Sequence, residues 1–461
     1  MMPTAMQHLA LVIFGLLLYV VITYATGQRR NPSVAAAWVT GIAAFPYLGI
    51  PIFLLFGVRK YRAPAAALPL PATPTPDAPA WTVRLLCGIG IDPPLANPNI
   101  TFHADGAQAY ADLMATLESA THSLELATYV LGEDETGHAV IDALLAAAAR
   151  GVQVRVLVDA VGSWRLSRRS LRRMRVGRIH VHRFMPFLHN PTRGKSNLRN
   201  HRKLVVADAR RLWSGGRNLA DEYFFNKPGR PAWTDMSFSL EGPVAAQARA
   251  CFEQDWVATV RAGSPEAQAW PAPPALPFAA APAQGIAQWV PSGPDQPEDS
   301  IHALLLAAVY RASDHIDAIT PYFVPDEALL NALCMASRAG TRVRLLVPAR
   351  SNHRFTDLAR ERALRQLSAA GAQILLAPGM THAKLVIIDQ QIALCGSANL
   401  DGRSLFLNYE VMTAFYSPRE IAWLTEWADG QFDSAQRYQR HPPAWWVDLA
   451  EGIARSVGVQ L

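Results

Sequence analysis

The chain has 461 residues, 50% apolar and 17% charged, which suffices for two or three domains with full cores and excludes disorder over the whole length. Its four cysteines are scattered without a CxxC pair, so a disulfide scaffold or zinc ribbon is excluded and a reducing compartment fits. The formal charge of +6 is unevenly placed: residues 1–62 hold Arg29, Arg30, Arg59, Lys60 and Arg62 with no acidic residue, leaving the body at about +1, too little for a nucleic-acid partner to be expected.

Residues 9–27 and 34–58 are charge-free apolar stretches, each long enough to span a bilayer, so residues 1–62 read as a membrane anchor of two helices. Pro46 and Pro51 predict that the second is kinked or partly re-entrant. The leader lacks a basic side chain and a second apolar stretch follows at once, which weighs against a cleaved signal peptide. The positive-inside count favours a cytoplasmic body by a thin margin, because Arg29 and Arg30 lie between the stretches. A Pro/Ala linker over 63–83 leads to a first domain, 84–263; a second linker, 264–286, leads to a second domain, 287–461.

The two domains resemble each other. HSLELATYV (122–130) and HIDAITPYFV (315–324) each precede a helical run, a Gly turn and an apolar strand with alternate arginines, RVLVD and RLLVP. Alternating strands and helices used twice predict a duplicated α/β sandwich. Each half then carries one motif, NHRKLVVADARRLWSGGRN (200–218) and THAKLVIIDQQIALCGSAN (381–399). Aligning His201 with His382 brings Lys203 onto Lys384, Asp208 onto Asp389 and Asn218 onto Asn399. His and Lys two apart on a strand share a face, and an antiparallel return brings the Gly/Ser residues and the Asn beside them. Two imidazoles, two ammoniums and two carboxamides suit phosphoryl transfer: one His attacks phosphorus, the other protonates the leaving oxygen, and the lysines and asparagines stabilise the non-bridging oxygens. This chemistry calls for no metal or cofactor. Only five of the 43 basic residues are lysine, and two of them hold these equivalent positions. The two aspartates complete the candidate catalytic set, although a strand–turn junction also suits a structural role.

These motifs resemble the HxKx4D…GSxN signature of the phospholipase D superfamily, over roughly residues 100–435. FPYLGIPIFLLFG, NLRNHRK, TPYFVPDEALLNAL and GSANLDGRSLFLNYE make the resemblance strongest to its bacterial cardiolipin synthase branch. It implies an α/β fold of two phospholipase D-like units, each an α/β/α sandwich, behind two transmembrane helices, in a multi-pass protein of the bacterial inner membrane. It also implies transfer of a phosphatidyl group between two phosphatidylglycerol molecules, with release of glycerol. By the same resemblance His201 is the nucleophile and His382 the general acid and base, while Lys203, Lys384, Asn218, Asn399 and Ser397 hold the phosphate. A later carboxylate in each half orients a histidine: Glu410, 28 residues after His382, matches in the second half, and Asp235 is the nearest counterpart in the first. Gly216 stands where the second copy has Ser397, so the site is asymmetric. A lipid-hydrolysing phospholipase D, a nuclease of the same superfamily and a non-catalytic membrane scaffold are the rival readings. The arginine-rich run 165–178 reads either as a solvated helix face or as a surface facing anionic headgroups.

Overall fold

The computed structural model describes residues 5–25, 32–57, 77–186, 197–260 and 285–440, with isolated positions at 68, 75, 443, 444, 447, 451 and 452. Most of both Pro/Ala linkers lies outside the described residues.

Helix α1 (Ala5–Ala25) contains a 20-residue apolar stretch, Ala5–Tyr24, and is the one helix among the described residues long and apolar enough to cross a membrane. The second apolar stretch departs from the expected spanning helix. It breaks into α2 (Pro32–Ala44) and α3 (Pro46–Phe56), of 13 and 11 residues. Pro46 supplies no amide hydrogen and drives the preceding Phe45 out of helical geometry, to φ −136° and ψ 63°. At ~1.5 Å per residue each piece extends about 20 Å or less, short of a ~30 Å hydrocarbon core. The pieces fold back on each other as a hairpin, with Gly49 against the backbone of Gly41 and Tyr47 ring-to-ring with His8 near the start of α1. Ile42 and Ile50 close over Gly15, and Phe53 packs on Tyr19 and Trp38.

The body contains, in chain order, β1 (Leu95–Asn97), β2 (Asn99–His103), β3 (Ser123–Thr128), β4 (Gln153–Asp159), β5 (His180–Phe184), β6 (Leu204–Ala207), β7 (Arg211–Gly215) and β8 (Ser237–Glu241). After the second linker come β9 (Gly285–Ser292), β10 (His315–Ile319), β11 (Phe323–Val324), β12 (Arg342–Pro348), β13 (Gln373–Ala377), β14 (Leu385–Ile388), β15 (Ile392–Gly396), β16 (Leu400–Asp401), β17 (Glu410–Phe415) and β18 (Gln436–Arg437). The first sheet runs β2-β8-β7-β6-β3-β4-β5 and the second β1-β9-β17-β15-β14-β10-β12-β13-β18. Without its end strands the second repeats the first strand for strand, so the expected duplication is present. In each, three parallel strands join an antiparallel set at the motif strand, β6 or β14.

The layers follow from the side-chain pattern. Helices Gly106–Ser119 and Glu135–Ala149 cover the outer face of the first sheet, and Ser300–Val309 and Glu327–Arg338 that of the second. The inner faces share one core, where Phe415 packs 5.0 Å from Phe102 and 5.1 Å from Phe238. Helices Pro243–Thr259 and Pro418–Asp433 line that core, and the alternate arginines explain how each is held. Arg155 bridges Glu125 on β3 to Glu253 on the first helix; Arg344 bridges Asp317 on β10 to Asp429 on the second.

The sheets do not keep to the boundaries read from sequence. β1 pairs with β9 in the second sheet, and Leu86 and Ile91 lie in the second unit's core. Helix α4 (Ala80–Gly88) starts inside the stretch read as linker, and the segment from it to β1 adds its apolar side chains to the second unit's core, while Pro93 and Asn97 accept hydrogen bonds from Gln247 and Val244 of the first unit's helix. Short and apolar, this segment carries no sequence signal of which sheet has a free edge.

Candidate active site

His201–Lys203 and His382–Lys384 are the entry residues of β6 and β14. Antiparallel pairing of β6 with β3 sets them at the edge where the parallel strands end. The entries are clamped across the two units. The His201 amide donates to the Tyr409 carbonyl (2.8 Å), and the His382 amide to the Thr234 carbonyl (2.6 Å). Each contact delivers the carboxylate one residue further on.

The carboxylates are therefore exchanged between halves. His201 Nδ1 lies 3.0 Å from Glu410 Oε1 and 3.1 Å from Oε2. His382 Nδ1 lies 2.6 Å from Asp235 Oδ2. The later carboxylate of each half thus faces the histidine of the other half. An ionised carboxylate only accepts, so each Nδ1 carries the hydrogen; the Nε2 lone pair of His201 is left for chemistry, while that of His382 faces Lys384 Nζ at 3.0 Å. Ser397 joins the crossing: its carbonyl stands 3.2 Å from His201 Nδ1, and its hydroxyl donates to Glu410 Oε2 at 2.5 Å. In the first half a β-carbon at Gly216 would collide with Asp235 Oδ1. The serine of one half and the glycine of the other are thus two ways of seating a carboxylate, and Asp235 needs the empty space.

Both lysines are buried. Lys203 Nζ donates to the His201 carbonyl (2.8 Å) and lies 5.9 Å from the Tyr129 ring centre. Lys384 Nζ donates to the His382 carbonyl and stands 3.0 Å from His382 Nε2. Burial, with mutual repulsion adding to it, lowers Lys203 to about 7, and burial lowers Lys384 to about 8. Burial and then Lys384 lower His382 to about 3, and burial also lowers His201. For the carboxylates burial acts upward and is outweighed. His382 and Lys384 bring Asp235 to about 2, and His201 and Lys203 lower Glu410. The site thus combines neutral imidazoles with two weakened cations, an arrangement that a phosphate monoanion would stabilise.

Of the carboxamides, Asn218 donates to the Tyr223 hydroxyl (2.7 Å), and the Tyr223 ring lies 5.1 Å from that of His382. Asn399 is buried with an Oδ1 that accepts no hydrogen bond among the described residues. Tyr129 packs 4.9 Å from His201 and Trp233 5.7 Å from His382, so each imidazole has an aromatic wall.

Asp208 and Asp389 stand elsewhere. Each occupies the far end of its strand, at φ 54° and 51° in a tight turn. Asp208 accepts from the amides of Thr121, His122 and Ser123 at 2.7–2.9 Å, and Asp389 from those of Ser313, Asp314 and His315 at 2.7–2.9 Å. Their placement in the catalytic set is corrected: a four-residue strand, about 13 Å long, separates each from its lysine. They tie the hairpin to the start of β3 and β10.

Sequence reasoning passed over Arg202, between His201 and Lys203. It is fully buried, with Nη1 2.5 Å from Asp255 of the first unit and Nη2 3.0 Å from Asp295 of the second. Its Nε donates to the Glu410 carbonyl (3.1 Å). The second motif has Ala383 there, so motif alignment gave no signal; two buried carboxylates around one guanidinium emerge only from the fold.

Fold and site define the class: a duplicated α/β/α protein of phospholipase D type, with one site built from both halves. The family described as cardiolipin synthase, PLD-like domain, matches residues 113–256 and 305–431. A cardiolipin synthase of Geobacillus kaustophilus is 31% identical over 93% of this chain and 89% of its own. Cardiolipin synthase A of Pseudomonas putida is 31% identical over 83% of this chain and 82% of its own. The crystal structure of phosphatidylserine synthase from Haemophilus influenzae shares the fold, with a TM-score of 0.62 at 14% identity, covering 81% of this chain and 98% of that one. The chain belongs to the cardiolipin synthase family of phospholipase D-like proteins.

Proposed function

We propose that this phosphatidyltransferase makes cardiolipin from two molecules of phosphatidylglycerol. The observation that supports it most is the pair of histidines, one from each half, with each Nδ1 engaged by a carboxylate of the other half. His201 Nε2 attacks phosphorus of the first lipid, the bond to its terminal glycerol breaks, and His382 gives that oxygen a proton. The free hydroxyl of the second lipid then returns a proton to His382 while its oxygen displaces the imidazole. Cardiolipin leaves, one glycerol has been released, and both histidines are restored. Burial and then Lys384 hold His382 neutral; a phosphodiester between the lysines opposes that field, so the acid's proton is taken up with the substrate. Lys203 and Lys384 neutralise the non-bridging oxygens, Asn218 and Asn399 border them, and Asp235 and Glu410 fix the rings.

The protein acts from a bacterial membrane. We infer one crossing, α1, with α2 and α3 dipping in and returning to the side they entered. Arg29, Arg30, Arg59, Lys60 and Arg62 then all fall on the side of the body. The positive-inside rule assigns that side to the cytoplasm of the inner membrane with a margin of five, where two separate crossings would split the charges. The domain division proposed is 99–260 for the first unit and 285–437, with 80–97, for the second.

The test is turnover of headgroup-labelled phosphatidylglycerol by the purified protein in mixed micelles. Cardiolipin and labelled glycerol in equal amounts, both lost in His201→Ala and His382→Ala, is the expected result. Phosphatidic acid without cardiolipin would make the protein a hydrolase.

A further inference from the structure

Arg165 and Arg354 occupy the same place in the two halves. Each lies ten residues after the arginine that pins its sheet, Arg155 or Arg344: Arg165 on the loop that leaves the second parallel strand, Arg354 at the first turn of the helix Arg354–Ala369 that ends the matching loop. Both loops leave the sheet edge at which the histidines stand, and both touch the aromatic residues there. Ser163 donates to the carbonyl of Tyr129, the neighbour of His201, and Asn352 accepts from the hydroxyl of Tyr322. Beside each arginine stands an exposed large apolar side chain, on the loop in the first half and in the first helical turn after the loop in the second. Trp164 is 68% exposed, with the Arg165 guanidinium 5.3 Å from its ring centre, and Phe355 is 43% exposed next to Arg354. Arg168 and Arg169 are exposed in the helix that follows the first loop, and Arg350 is exposed on the second. Among the described residues none of these arginines has an ion-pair partner.

We propose that the two loops are lips of the cleft that rest in the headgroup layer of an anionic bilayer, with Trp164 and Phe355 at the acyl boundary and the arginines on lipid phosphates. The inference rests on the phosphatidyl-transfer reading, which requires an anionic lipid headgroup to reach imidazoles that lie almost wholly buried. Charge complementarity selects the occupant. An apolar residue flanked by unpaired guanidiniums suits a headgroup–acyl boundary, where both parts find their preferred medium. The N-terminal anchor keeps such a surface within reach of the membrane. The arginine-rich run is thereby assigned to lipid at its first turn.

The test uses the full chain reconstituted in vesicles. The native cysteines Cys87, Cys251, Cys334 and Cys395 are buried, so a fluorophore can be attached selectively at Trp164→Cys or Phe355→Cys. Tyr310→Cys, 62% exposed at the opposite sheet edge, is the reference. In phosphatidylglycerol/phosphatidylcholine vesicles carrying acyl-chain quenchers, both lip labels should be quenched about threefold more than the reference. Arg165→Glu with Arg354→Glu should reduce that excess about tenfold, as should vesicles of phosphatidylcholine alone. Lip labels no more quenched than the reference would overturn the proposal. Quenching that ignores lipid charge would overturn the role of the arginines. Quenched lips in a protein that makes no cardiolipin would sink the catalytic reading and leave the surface standing.

Discussion

Glu410 meets His201 across 209 residues of chain, and Asp235 meets His382 across 147. Neither half contains a complete histidine–carboxylate pair, so the cleft exists only when the two units are docked. The relation gives a direct thermodynamic expectation. In unfolding free energies, His201→Ala and Glu410→Gln should be coupled by about 1–3 kcal/mol, whereas His201→Ala and Asp235→Asn should add within ~0.5 kcal/mol. Coupling of His201 to Asp235 instead would restore pairing within each half.

Gly216→Ser copies the second motif into the first and should still damage the site. The added β-carbon drives Asp235 off His382, and loss of such a supporting carboxylate typically lowers activity about 10–100-fold. A kcat within twofold of the parent, with a folded protein, would show that Asp235 has room to spare.

Asp208→Asn separates fold from chemistry. Losing the ionised acceptor for three backbone amides should cost about 1–3 kcal/mol in denaturant unfolding. The Asp208→Asn protein that remains folded should keep kcat/KM within a few-fold. A fall of a hundredfold or more in the folded fraction would return Asp208 to the catalytic set.

Proton binding to the lysines sets two slopes. In the free enzyme Lys203 and Lys384 titrate at about 7 and about 8, so kcat/KM should fall as pH rises through that range. Stability should move the other way. The folded value for Lys203 lies below the unfolded ~10.4, so the unfolded chain binds more protons in between and stability rises with pH from about 7 upward. Lys203→Met should flatten that rise and abolish turnover. A kcat/KM that is level from pH 6 to 9 would contradict the lysine values.

The duplication, the histidines and the lysines were legible because each is a short-range pattern written twice: strand periodicity, a spacing of two and a shared Gly turn. The exchange of Glu410 and Asp235 was not legible, because alignment of the halves reports equivalence and says nothing about which copy faces which. Gly216 carried the asymmetry in plain view, yet its reason is a collision across the cleft. Pro46 announced a break in the second apolar stretch; that the pieces fold back depended on Gly49 seating on the backbone of Gly41 and on Gly15 leaving room for Ile42 and Ile50. Asp208 looked catalytic by membership in a motif, while its turn conformation and the amides it holds are local facts of strand geometry.

The central claim is that one imidazole, His201, carries the phosphatidyl group while a histidine of the other half handles protons. Its most direct measurement is rapid quench of the purified protein with phosphatidylglycerol labelled in the phosphatidyl part, followed by peptide mapping under conditions that preserve phosphohistidine. The account expects the label on His201, absent from His201→Ala and lost from the parent protein as cardiolipin forms. Label on His382, or a competent reaction with no labelled histidine at all, would contradict it.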